Sequence, residues 1–175
     1  MAVALTPFSG FCGFRPPTQI ASFLDTVPEF SAIIGHAAAS SFKSRFASKA
    51  STESTKEGLK EMFSALMNAD SGDVKREVSK LVARLEKESR EEGKEERELI
   101  AVLNGDFPGD VGIFCTFVLN IVHLQPGEAV FLKANEPHAY LDGGEFSPPT
   151  PSLSGLLISR SVDIMECMAT SGAPP

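Results

Sequence analysis

Apolar residues recur at helical spacing between residues 16 and 105 and at strand spacing beyond Gly105. Ile20, Phe23, Leu24 and Val27 fall at i, i+3, i+4 and i+7, one face of a helix. Pro16 and Pro17 suit a first helical turn, where a missing N–H costs nothing, and Pro28 closes the element. Ser54 and Glu57 have capping-box spacing ahead of a second apolar face, Leu59, Met62, Phe63 and Leu66. Asp73 is the expected N-cap of a third helix carrying Val74, Val78, Leu81, Val82 and Leu85. That helix is expected to continue through residues 86–98, where seven Glu mix with four Lys or Arg. Mixed signs at this density predict a solvated face held by i,i+4 pairs, not a surface for one partner. The Ser/Thr-rich stretch from Ala47 to Thr55 reads as a loop.

Past Gly105, Val111 to Val122 is a continuous apolar run rich in β-branched and aromatic residues, which predicts one buried strand. Gln125 to Glu128 makes a turn, and Ala129 to Leu132 and His138 to Leu141 read as two further strands. Helices followed by short strands between Gly/Pro turns give an α+β class, with the strands belonging to a barrel or jelly roll. Residues 144–162 contain Pro148, Pro149 and Pro151, several serines and no period, and read as an unstructured insertion.

Length and charge narrow the function classes. A chain of 175 residues suffices for one domain, or one and a fraction of a second. With a net charge of −7 and Lys and Arg interleaved with Glu, no nucleic-acid partner is expected. No run approaches the ~20 apolar residues of a membrane span, so no membrane partner is expected either. Met1 to Phe14 lacks a basic leader and is interrupted by Pro7, Gly10 and Gly13, so it does not read as a signal peptide, and the cytoplasm is the expected compartment. Cys12, Cys115 and Cys167 lie too far apart for a disulfide framework or a CxxC site and are expected as reduced thiols.

The metal-ligand candidate with the best setting is His138, which follows Pro137 and opens a strand with Tyr140. Alternation along a strand puts the two side chains on one face, which in a small barrel is either packed core or a cavity. From the residues alone, a lone His at a strand start more often serves structure, because zinc needs three or four ligands. His36 and His123 have no second ligand within motif spacing. His123 is expected to be exposed at a strand end.

Longer motifs add a resemblance. Pro126 to Leu132, then Ala134 to Leu141, is similar to the PGEAxFLxANxPHAYL signature of type I mannose-6-phosphate isomerases. Phe107 to Gly112 resembles that family's FPGD(I/V)G segment. Ala4 to Phe8 with Cys12 to Pro16 resembles ALTxFxxxCGFRP, and Glu166 to Ala169 resembles ECMA. The resemblance implies a mainly helical domain inserted into a cupin-type β-barrel (jelly roll), present here in part, with a second barrel following in the family. It implies zinc-dependent interconversion of mannose 6-phosphate and fructose 6-phosphate through an enediol, which supplies GDP-mannose, in a protein that is often monomeric. The partner implied is a small sugar phosphate. His138 matches one of four zinc ligands, and Tyr140 and Glu166 match residues lining the sugar pocket.

On this reading residues 1–15 lead from barrel to helical domain, 16–105 are that domain, and 106–142 are partial barrel strands. Residues 143–162 are the insertion, and 163–175 are a strand remnant with a divergent end. The family carries its other three zinc ligands in a QxH pair and an HKPEMA segment, of which Met1 and Ala2 match only the last two positions. Its catalytic Arg lies in a segment that should follow Ser171. Neither is expected here, so the alternative is a catalytically inactive fragment: a helical module with an incomplete barrel. A cupin-like binding protein with another metal arrangement is a third class, with no residues to recommend it. Removing residues 144–162 joins Gly143 to Asp163 and restores the family's AYLxGDxxECMA reading. Codons for Gly144 to Phe146 can hold a donor-like GTGAGT, and those for Val162 and Asp163 an acceptor-like TAG. These nineteen residues are therefore expected to be a translated intron.

Overall fold

The computed structural model describes residues 2–47, 52–88, 92–132, 136–143 and 164–166. The chain divides into a helical unit, Arg15–Val118, and a sheet unit formed by Met1–Phe14 with Leu119–Pro175. It passes between them twice, after Phe14 and after Val118.

The helical unit contains α1 (Pro17–Thr26), α2 (Pro28–Ile34), α3 (His36–Ala47), α4 (Thr52–Met67), α5 (Ser71–Leu85), α6 (Lys94–Asp106) and the single turn α7 (Gly112–Cys115). Pro17 and Pro28 occupy first-turn positions, so Pro28 both ends α1 and begins α2. The predicted apolar stripes face inward. Ile20, Phe30, Phe42, Met62, Leu66, Leu81 and Ile100 are almost wholly buried. Phe117 packs on Phe23 and Phe30 at centroid distances of 5.2 and 5.5 Å. Such rings carry much of the burial that stabilises a helical core.

Several local expectations need correction. Residues 52–55 are helical, not loop, and Ser54 lies inside α4. Asp70, not Asp73, caps α5: its Oδ1 accepts from the N–H groups of Gly72 at 2.8 Å and Asp73 at 3.1 Å. Asp73 sits in the first turn, where the helix dipole favours an acid. The charged stretch is not one continued helix. α5 stops at Leu85, and α6 starts after Gly93, whose φ of 71° is a left-handed conformation that glycine adopts without strain. Nor is the stretch wholly solvated. Glu96 pairs with Arg15 at 3.1 Å, and both side chains are largely covered.

The predicted strand over 111–122 is strand only from Leu119 onward. Asp110 Oδ1 accepts from Gly112 N–H at 2.7 Å, and backbone bonds three residues apart wind the chain through α7 to Val118. Ile113, Phe114, Phe117 and Val118 are buried there. An apolar run buried on all sides carries no period, so sequence cannot separate a strand from a buried turn of helix. Residues 106–118 therefore contribute no strand.

The sheet unit contains β1 (Ala2–Ala4), β2 (Phe8–Phe14), β3 (Leu119–Leu124), β4 (Ala129–Val130), β5 (His138–Gly143) and β6 (Ile164–Glu166). They form two antiparallel three-stranded sheets, ordered β4-β1-β6 and β3-β2-β5. The α+β class holds. Among the described residues the strands make two open sheets, not the closed barrel form. No described helix is long and apolar enough to cross a membrane. The proposed insertion, 144–162, lies outside the described residues, as do 163 and 167–175.

Candidate functional site

β5 begins at His138, and its approach is fixed by the backbone. Gly13 N–H donates to Pro137 O at 2.9 Å, joining the start of β5 to β2. One residue earlier, Glu136 O accepts from His138 Nδ1 at 3.0 Å. A carbonyl can only accept, so Nδ1 carries a proton, and in the neutral form of the ring the lone pair lies on Nε2. A hydrogen bond from one ring nitrogen to a carbonyl is the usual device that orients a ligating imidazole.

Ala139 and Leu141 are buried on one face of β5, which leaves His138 and Tyr140 together on the other. Their ring centroids are 5.9 Å apart. On β2, Cys12 pairs with His138 and Gly10 with Tyr140. Phe8 meets Tyr140 edge to face at 5.5 Å. The ring of Phe8 lies across Gly10, where an added Cβ would come within 2.8 Å of Phe8 Cζ and 2.9 Å of Ala139 O. Burial, with the Glu136 carboxylate nearby, pushes the Cys12 thiol above its ordinary value. Burial pushes Cys115 up to about 12, with a smaller contribution from Asp110. Both are free thiols; Cys167 lies outside the described residues.

The structure thus brings together two of the three residues singled out. Glu166 lies on the other sheet, its backbone opposite Ala2, and its side chain is outside the described residues. His123 is exposed, as expected, and shares a 2.8 Å hydrogen bond with Ser9 Oγ. His36 is exposed at the start of α3. Phe8 and Gly10 went unnoticed in the sequence because the glycines of β2 interrupt its apolar alternation. A cavity of about 420 Å³ lies in the helical unit, lined by Phe23, Leu85, Ile100, Phe117, Arg84 and Glu96 among others; none of the candidate residues borders it. Among the described residues, no group of three or more His, Cys, Asp or Glu could hold a metal ion. His138 is oriented by the Glu136 carbonyl, with Nε2 left unengaged by that bond.

Comparison with known proteins bears on this arrangement. Residues 33–119 match the family phosphomannose isomerase type I, helical insertion domain. Mannose-6-phosphate isomerase of Homo sapiens is 38% identical over 172 residues, which is 98% of this chain and 36% of that protein. The enzymes of Rattus norvegicus and Schizosaccharomyces pombe are 37% and 36% identical over the same length. The chain is similar to the type I phosphomannose isomerases over nearly all of its own length. It spans about a third of the length of the curated relatives it matches. Two solved mannose 6-phosphate isomerases, one a zinc-bound holo form and one from Salmonella typhimurium bound to substrate and zinc, share its fold. Each is 33% identical, with a TM-score of 0.59, over 81% of this chain and 32% of the other. The match to the insertion-domain family runs from the end of α2 to the first residue of β3.

Proposed function

We propose that this sequence is the helical-domain and partial-barrel portion of a mannose-6-phosphate isomerase, and that His138 is one of that enzyme's zinc ligands. The reading is carried by the His138–Glu136 hydrogen bond, which fixes the tautomer and leaves the Nε2 lone pair on the face that also carries Tyr140. It is supported by the zinc in solved relatives. The two sheets belong, on this reading, to one cupin-type barrel, with the helical unit inserted between β2 and β3.

The reaction is an aldose–ketose isomerisation. The sugar opens, a base removes the C2 proton, and the proton returns at C1 through an enediol. Zinc, when bound, would supply Lewis-acid or template chemistry at the sugar oxygens. His138 contributes an oriented neutral imidazole. Tyr140 presents a phenol that can both donate and accept toward sugar hydroxyls. Glu166 would add a carboxylate near C1 and C2. GDP-mannose supply and a cytoplasmic setting accompany this function.

A chimera tests the proposal. Residues 1–143 should replace the matching segment of the Homo sapiens enzyme, with fructose 6-phosphate formation followed by a coupled assay. Retained turnover, lost together with bound zinc in the His138→Ala chimera, supports the reading. A folded chimera that turns over and keeps stoichiometric zinc without His138 defeats it. A folded chimera with neither zinc nor turnover favours the alternative, a non-enzymatic helical module with an incomplete barrel.

A further inference from the structure

We propose that Phe8 is a positioning residue for Tyr140, and that the absence of a side chain at Gly10 is what allows it. The strand register sets the geometry. Cys12 pairs with His138, Gly10 with Tyr140 and Phe8 with Gly143, so His138 and Phe8 flank Tyr140 from opposite directions along β5. Directly across from Tyr140 stands Gly10, where a side chain would normally form the cross-strand partner. The pairing shifts between Ser9 and Gly10, and the Phe8 ring folds back over the vacant position. It meets the Tyr140 ring edge to face, with 68° between the planes. Phe8 is only 4% exposed, so its ring is packed in place. The Tyr140 ring is thereby confined between Phe8 and the His138 ring, 5.9 Å away on its other side. In strands the staggered wells near 180° and −60° are both common for an aromatic residue, and a fixed neighbour selects one. Phe8 therefore fixes the direction in which Tyr140 points.

This rests on the isomerase reading only for what Tyr140 touches; the ring arrangement is tested without substrate or metal. Tyr140 is the one tyrosine and the chain has no tryptophan, so its ring signals are unambiguous by NMR. In the 175-residue chain, a nuclear Overhauser contact between the Tyr140 and His138 rings is expected. It should be lost in Phe8→Leu, while the backbone contacts between Gly10 and Tyr140 persist. Ser9→Ala, on the other face of β2, should change nothing. Persistence of the ring contact in Phe8→Leu with the sheet intact would overturn the proposal. So would loss of the β2–β5 backbone contacts in Phe8→Leu, since Phe8 would then hold the sheet and not the ring. Failure of the chimera assay would leave this measurement unaffected.

Discussion

Arg84 on α5 grips Glu29 on α2 through two parallel hydrogen bonds, Nε to Oε1 at 2.9 Å and Nη2 to Oε2 at 2.8 Å, across 55 residues of sequence. Glu29 is 6% exposed, and the third guanidinium nitrogen reaches Glu88 Oε1 at 2.8 Å. Two-point pairing fixes the angle between helices as well as their spacing. Removing one member of a buried pair strands the other, at a cost of ~3–5 kcal/mol. Because Arg84 keeps partial solvent contact, Glu29→Ala should destabilise the helical unit by about 2–3 kcal/mol. Urea unfolding followed by far-ultraviolet circular dichroism measures this; a loss near zero would reduce the pair to an ornament of the surface.

Acid should weaken the same unit. Burial alone would raise the Glu29 carboxyl, but the hydrogen bonds from Arg84 outweigh it and hold the group below its ordinary value. Glu77 is also held low, first by the hydrogen bond from Lys80. A depressed carboxylate binds fewer protons folded than unfolded, so its stabilisation is complete above the unfolded value of about 4.3 and is lost as pH falls through the folded one. Melting temperature should therefore fall steeply below about pH 4. Glu29→Gln should flatten part of that slope.

Hydrogen exchange should protect the helices above the strands. α1, α2 and α5 satisfy their amides internally and bury Ile20, Phe30 and Leu81 beneath them. Among the described residues β3, β4 and β5 each pair on one side only, and such edges open at low cost. Within its sheet, β2 should exchange slowest. Equal protection in β3, β5 and α5 would contradict the argument.

The isolated chain should not retain stoichiometric zinc after dialysis. A stable site needs three or four protein ligands, and affinity falls steeply as they are removed. Metal analysis of wild type and His138→Ala should give the same substoichiometric content. Tight zinc that depends on His138 would reveal further ligands.

Spliced transcripts should lack the codons for residues 144–162. β5 ends at Gly143 and β6 begins at Ile164, so their removal leaves both strands intact and shortens the connection between them. Sequencing mature messenger RNA decides this. Transcripts that keep the codons would make the segment a genuine part of the protein.

By itself the sequence determined the apolar helical faces of α1, α4 and α5, the strand starting at His138 and the common face of His138 and Tyr140. The reason is that amphipathic period and strand alternation are local: each follows from a few neighbouring side chains meeting one apolar environment. It also carried the family resemblance, through several ordered motifs. Tertiary structure decided the rest. Burial on every side turned residues 111–118 into a helical turn, because a run without a polar face has no period to read. The backbone conformation at Asp70 and Gly93 settled where α5 and α6 begin, which composition could not rank against Asp73 and the charge run. Only strand pairing could set Phe8 beside Tyr140 and leave Gly10 beneath it, since β2 and β5 are more than a hundred residues apart and register is a property of the pair.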